Sequence, residues 1–226
     1  MFRNEVSEFI YKRTYARWLE DEKRREEWPE TVARFISFLK LERGDSIPEK
    51  TYRKIEKYLL DFAVMPSMRF LWSAGEPASR DTTVIYNCSF AKMNSIEAFA
   101  ECLHILMCGT GFGFSVEEEV VEKLPSILEI KSGRNRALEV IEDSREGWAD
   151  SVKVLMTSLY DGQNVYFDYS QLRPEGARLV TMGGRSSGPQ PLIKLHDFIR
   201  ETMHNAQGRK LSTLEVHDIT NQIAEI

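Results

Sequence analysis

Three groups of residues in this 226-residue sequence could carry chemistry. The first is a glycine run: Gly109, Gly111 and Gly113 alternate with Thr110 and Phe112, directly after Cys108. Alternating glycines invite a dinucleotide-binding reading, but that fingerprint follows a strand and opens a helix. Here an amphipathic helical pattern precedes the glycines and a strand-like run, Phe112 to Val116, follows them. No GxxxxGK[ST] stretch occurs, so a P-loop is excluded. Two readings stand: a tight helix-to-strand turn, or a place where backbone lacking Cβ approaches a ligand. The second group is GGRSSGP at 183–189. Its free N–H groups, two hydroxyls and the Arg185 fork suit an oxyanion. A helix starting near Pro191 would add its dipole. A plain surface loop is the other reading. The third group is the thiols. Cys88 ends an apolar run, and polar Asn87 and Ser89 beside it tilt the reading toward a site. Cys102 lies on an amphipathic helix and reads as structural, and Cys108 is ambiguous. His104, His196, His204 and His217 read as surface or core residues rather than metal ligands.

The elements that must position these residues fall into three stretches. Residues 1–63 read as a small helical bundle. Val6, Phe9 and Ile10 begin an apolar stripe, and residues 20–27 (EDEKRREE) read as a solvated helix face or turn. A helix from Pro29 to Leu41 has Val32, Phe35, Ile36 and Leu39 at helical spacing, with Pro29 in its first turn and Gly44 past its end. A third helix follows Pro48, carrying Tyr52, Ile55, Tyr58, Leu59 and Phe62 on one side. In residues 64–133, MPSMRFLWSAG has no clean period, and TTVIYNCSF (82–90) reads as a strand leading into a loop. Asn94 to Met107 reads as a helix with Ile96, Phe99, Leu103, Leu106 and Met107 inward, and Asn94 with Glu97 resembles a capping box. In residues 134–226, helices are expected over 148–159, 191–205 and 212–226, a strand over 164–169, and a second over 178–181. Trp148 and Phe167 are expected in the core. Strands separated by helices predict an α/β core. The last helical pattern reaches Ile226 without a stop signal, which predicts a longer polypeptide.

Composition bounds the function classes. Apolar residues make up 42% and charged residues 29%, an ordinary globular balance that excludes a disordered tail or a collagen-like repeat. No apolar run approaches a membrane span, and the N-terminus lacks the pattern of a secretory signal. The formal net charge of −5 disfavours non-specific nucleic-acid binding. Three cysteines with no CxxC pair argue against a disulfide scaffold or structural zinc, and predict a cytoplasmic, reducing setting.

Seven segments, in order, resemble the catalytic subunit of ribonucleotide reductases, most closely the adenosylcobalamin-dependent class and its monomeric ribonucleoside-triphosphate reductases. They are YKRTYARW (11–18), MPSMRFLWSAG (65–75), YNCSF (86–90), GTGFGFSV (109–116), DSREGWADS (143–151), DYSQLRPEGARL (168–179) and GGRSSGPQPL (183–192). The resemblance implies a fold of an N-terminal helical domain (1–63) followed by the first half of a ten-stranded α/β barrel (64–226). It implies that Cys88 is one half of a redox pair that reduces the ribose 2′-carbon. Replacing a 2′-hydroxyl by hydrogen takes two electrons and two protons, which a dithiol supplies on becoming a disulfide. It assigns substrate contacts to Pro66, Ser67, Met68, Asn87, Gly109, Thr110 and Gly111, and effector contacts to Asn94, Ser95, Arg185 and Ser186. It further implies adenosylcobalamin held outside this stretch, a C-terminal half of the same enzyme, a ribonucleotide substrate, a deoxynucleotide effector and a thioredoxin-like or dithiol reductant.

The sequence also departs from that family. Many relatives carry aspartate where this chain has Asn94. The stretch from Val116 to Arg145 is too short for the full insertion of the monomeric relative, and no ATP-binding cone precedes the helices. The thiyl-radical cysteine, its glutamate and asparagine helpers, the partner redox cysteine and the shuttle cysteines match nothing here. Alone, the chain is expected to be inactive: a split-gene product, an extein or a truncation. Two alternatives share the motifs: a non-catalytic nucleotide-binding remnant, and a reductase fed by a metal-based radical subunit.

Overall fold

A computed structural model describes residues 2–130, 137–179 and 184–226. The chain forms two compact units, Met1–Asn87 and Cys88–Ile226.

The first unit is built from helices around an aromatic cluster. α1 (Glu5–Ile10) is capped by Asn4, whose side chain accepts from the Ser7 N–H at 2.8 Å. A π-helical turn over Tyr11–Tyr15 follows. β1 (Trp18–Leu19) and β2 (Arg24–Arg25) then pair antiparallel. α2 (Trp28–Arg43) opens with a Glu27/Glu30 capping box and Pro29 in its first turn, and ends at Gly44 with φ +48°. α3 (Glu49–Leu60), α4 (Met68–Ser73) and α5 (Glu76–Arg80) complete the unit. Tyr11, Trp28, Val32, Phe35, Tyr52, Leu59 and Leu71 are buried. Phe62 sits just past α3 at φ +54°, a conformation that costs a bulky residue energy, and its ring stacks on Trp28 at 4.7 Å between centroids.

Three expectations for this stretch are corrected. Val6, Phe9 and Ile10 are exposed rather than an inward stripe, because α1 is a single short helix that buries no residue. Of the two readings of the charge run 20–27, the turn holds for residues 20–23 and the helix face does not: β2 follows the turn, and Glu26 is buried. Residues 82–85 form a 3₁₀ turn instead of a strand, because the Asp81 carboxylate accepts from the Thr83 N–H at 2.8 Å and curls the chain. Likewise MPSMRFLWSAG, which shows no period, contains α4.

The second unit begins with a β–α–β turn of the chain. β3 (Cys88–Lys92), α6 (Ile96–Met107) and β4 (Gly111–Ser115) follow one another, and the strands pair in parallel from Cys88↔Gly111 to Lys92↔Ser115. After α7 (Glu118–Val121), a second parallel pair joins β5 (Glu139–Val140) to β6 (Phe167–Asp168) across α8 (Arg145–Tyr160). α9 (Gln190–Asn205) and α10 (Thr213–Ala224) close the unit. α6 packs on α8, and α10 packs on α6 and α9. Phe99, Leu103, Val152, Leu155, Leu159, Leu195, Ile199 and Ile219 are fully or almost fully buried in one core with Trp148.

The cap of α6 is Ser95, whose hydroxyl accepts from the Ala98 N–H at 3.3 Å, not Asn94. The expected strand over 164–169 is reduced to the two residues of β6. That expected over 178–181 is a bridge between Arg178 and Arg185, and residues 180–183 lie outside the described residues. Among the described residues the sheets are short two-stranded pairs. No helix among them is long and apolar enough to cross a membrane.

Candidate functional site

Cys88 is the first residue of β3 and its thiol is free and exposed. Its partner across the ladder is Gly111, the first residue of β4. Successive strand residues alternate faces, and laterally paired residues share one. Cys88 and Phe90 therefore share a face with Gly111 and Gly113, and all four are exposed. Beside the thiol lies backbone without side chains, a floor on which a flat or polar molecule can rest close to sulfur. Ser89 tightens the pair by donating its hydroxyl proton to the Gly111 carbonyl at 3.0 Å.

The turn that delivers Gly111 ends α6. Gly109 takes φ +75°, a conformation that favours glycine, and its N–H donates to the Leu106 carbonyl at 2.7 Å. The Thr110 N–H donates to Ile105 at 3.2 Å, and Thr110 is buried. Gly109–Gly111 is thus a tight helix-to-strand turn, and it also exposes bare backbone at Gly109 and Gly111. Cys108 anchors it. Its buried Sγ accepts from Arg145 Nη1 at 2.9 Å and lies 3.7 Å from His104 Nε2, one helical turn back. The i,i+4 spacing of His104 and Cys108 is visible in the sequence and corrects the expectation that no histidine of this chain has a metal-like partner at i+3 or i+4. Cys102 has no such surroundings: burial pushes its thiol up to about 12, so it stays protonated and inert.

The remaining expected residues lie elsewhere. Asn94 and Ser95 follow the far end of β3, away from Cys88. Arg185 and Ser186 stand on a hairpin-like turn: Ser186 donates its N–H to Ala177 at 2.8 Å and accepts from Gly176 at 2.9 Å. On it Arg178 and Arg185 form an antiparallel backbone bridge, and Arg185 Nη1 donates to the Gly176 carbonyl at 2.9 Å. Gly183 lies outside the described residues. In the first unit, Ser67 is the N-cap of α4, accepting from Phe70 N–H at 3.5 Å; Pro66 and Met68 flank it, and Asn87 ends that unit, exposed.

A buried polar network escaped the sequence reading. His196, fully buried in α9, has Ser151 Oγ 3.0 Å from Nε2 and Tyr169 Oη 2.7 Å from Nδ1. Ser151 gives its proton to the Trp148 carbonyl at 2.6 Å, so it accepts from Nε2–H, and Tyr169 donates to Nδ1. This tautomer is assigned from the hydrogen-bond network. Burial, with Arg200 adding repulsion, pushes the imidazole down to about 3, so it is neutral at ordinary pH.

Among the described residues, cavities open within each unit. One of about 1060 Å³ opens in the second unit beyond the end of β4, lined in part by Glu117, Glu118, Glu122 and His217. One of about 340 Å³ lies against Tyr11, Trp28 and Phe62 in the first.

Comparison with known proteins gives these residues a family. A model of the ribonucleotide reductase alpha domain matches residues 1–76. A model of the B12-dependent ribonucleotide reductase insertion domain matches residues 121–203. The fold agrees: a crystal structure of a B12-dependent (class II) ribonucleotide reductase superposes with a TM-score of 0.82 and 25% identity, over 95% of this chain and 39% of that one. The chain belongs to the ribonucleotide reductase family. Within it, the similar curated proteins are adenosylcobalamin-dependent ribonucleoside-triphosphate reductases. That of Euglena gracilis is 29% identical over 97% of this chain and 32% of its own length. That of Lactobacillus leichmannii is 27% identical over 95% of this chain and 38% of its own. The chain thus spans about a third of the length of the relatives it matches. The expectation of a missing full insertion is refined by these matches. Residues 121–203 fit the insertion-domain model, yet the Lactobacillus alignment runs over 281 residues, more than this chain has, so that relative carries residues without a counterpart here. Neither cavity fits a corrin: one is too small and the other is walled by three glutamates at the end of β4 away from Cys88.

Proposed function

We propose that this chain is the part of an adenosylcobalamin-dependent ribonucleotide reductase that supplies one redox thiol and the backbone floor of the substrate pocket. The observation that carries the reading is the register Cys88↔Gly111, which sets an exposed thiol beside side-chain-free backbone. The reaction balances as follows. The 2′-hydroxyl of a ribonucleotide, taken as a triphosphate, leaves as water and hydrogen takes its place. The two electrons and two protons come from two thiols, Cys88 and a partner outside the described residues, which become one disulfide. A thioredoxin-like protein or small dithiol then reduces that disulfide. Adenosylcobalamin, held by the remainder of the enzyme, supplies the initiating radical.

Gly109, Thr110 and Gly111 receive the nucleotide through their backbone, and Pro66, Ser67, Met68 and Asn87 are its further contacts. Asn94, Ser95, Arg185 and Ser186 receive a deoxynucleotide effector. The free thiols suit the cytoplasm. The second half of an α/β barrel would cover the open edges of β3 and β4.

The test combines the chain with the remaining part of a B12-dependent enzyme, adenosylcobalamin and a dithiol. Cys88→Ser should abolish multiple-turnover deoxynucleotide formation, whereas Cys102→Ser should leave it near the parent value. Unchanged turnover in Cys88→Ser would remove the redox role and leave a nucleotide-binding or regulatory one.

A further inference from the structure

The first unit contains a buried ion network that the proposed function does not use. Glu26 is only 3% exposed. Its carboxylate accepts from Arg34 at both oxygens, 2.7 Å to Oε1 and 3.0 Å to Oε2. It also accepts from the Thr31 hydroxyl at 2.8 Å and the Arg17 backbone N–H at 3.3 Å. Thr31 has then given away its proton, so the Tyr11 hydroxyl, 2.6 Å away, donates to it. Burial alone would raise the Glu26 carboxyl, but Arg34 outweighs it and holds the group below its ordinary range.

Both guanidiniums aim their remaining donors at one target. Arg17 donates from Nε and Nη2 to the Trp72 carbonyl at 3.0 and 2.7 Å. Arg34 Nη1 donates to the carbonyls of Leu71 at 2.9 Å and Ala74 at 2.7 Å. These acceptors belong to the last turn of α4 and its cap, the carbonyls a helix cannot satisfy itself. Cations there also oppose the negative end of the helix dipole. A six-residue helix is too short to persist in water unaided, so its orientation comes from outside. The opposite end of α4 is Ser67–Met68.

We infer that Arg17 and Arg34, the latter paired with Glu26, are positioning residues for nucleotide binding: they hold α4 by its C-terminal end and so fix Pro66–Met68 at the other. The inference rests on the reading that Pro66–Met68 contacts the nucleotide. None of the three side chains touches substrate. Two segments far apart in sequence, 11–18 and 65–75, meet here for this purpose. Lysine cannot reproduce the contact, because one ammonium lacks the planar fork that binds Trp72 twice.

The test has two readouts. In the 226-residue chain, Arg17→Lys, which keeps the charge, should speed amide hydrogen exchange over residues 68–74 at least tenfold while leaving α2 and α3 unchanged. Unaltered exchange over 68–74 would overturn the clamp. In the assembled enzyme, Arg17→Lys should raise KM for the ribonucleotide about tenfold with kcat within twofold. A drop in thermal stability with KM unchanged would reduce the network to a structural role and overturn the inference. Met68→Ala separates this from the underlying reading: if it raises KM and Arg17→Lys does not, the positioning role alone fails; if Met68→Ala leaves KM unchanged, the substrate assignment fails. Should Arg17→Lys not fold, Thr31→Val, which removes one donor from Glu26, is expected to give the same KM shift in weaker form, and its absence counts against the inference.

Discussion

His196 shows how much of a residue's role is set by its partners rather than its type. The same imidazole on a surface would titrate near neutrality, whereas here burial holds it neutral down to about pH 3. The sign follows from the two pKa values. The unfolded chain binds the proton near pH 6.5 and the folded one only near 3, so His196 contributes its full stability above pH 6.5 and loses it as pH falls toward 3. Between pH 6.5 and 5, where carboxylates remain ionised, unfolding free energy should decline by up to about 1.4 kcal/mol per pH unit. Denaturant titrations at pH 7, 6 and 5 check this, and His196→Gln should flatten that slope. A slope unchanged in the variant would assign it to other groups. Residue environments were unevenly legible. The polar neighbours of Cys88 agree with its exposure, and the helical face of Cys102 with its burial. Glu26 was hidden, because a run of charges does not reveal that Arg34, eight residues on, folds back to bury one of them.

Elements announced by caps and periodicity were readable, and those made by local hydrogen bonds were not. α2 carries Pro29 at its start and Gly44 at its end, and its core positions follow the helical period. The 3₁₀ turn at Thr82–Ile85 has the apolar, β-branched content of a strand, and the Asp81 side chain decides against it. At α6, Asn94 and Ser95 are both able caps, and only geometry selects Ser95. Gly147 in α8 gives a sharp prediction at this scale. Alanine is the better helix former, yet a Cβ there would stand 2.4 Å from the Glu142 carbonyl oxygen and 3.0 Å from its carbonyl carbon. Gly147→Ala should therefore destabilise by about 1–3 kcal/mol, read as a lowered thermal midpoint. A midpoint equal to or above the parent's would show that the 142–147 backbone yields freely. Gly113→Ala is the control: its nearest neighbour would lie at 3.5 Å, ordinary contact, so folding should be little changed.

At the scale of the whole molecule, two units divide the work. The helical one builds a charged clamp around α4, and the α/β one builds the β3–α6–β4 turn that carries the thiol. The order of the motifs indicated the family, and the 0.82 superposition bears out the mixed α/β class, while the described strands form two-stranded pairs and not a half barrel. The register that sets Cys88 opposite Gly111 was beyond sequence reading, because residues 82–90 read as one strand and the 3₁₀ turn at 82–85 delays its start to Cys88. That pairing underlies the central claim, that Cys88 is consumed as a reductant when a ribonucleotide is reduced. The most direct measurement is thiol alkylation with mass spectrometry after a single turnover of the assembled enzyme without external reductant. Cys88 should become protected from alkylation in proportion to deoxynucleotide formed and be released by a dithiol, while the protection of Cys102 and Cys108 does not change with turnover. Deoxynucleotide accumulating while Cys88 stays fully alkylatable would contradict the account.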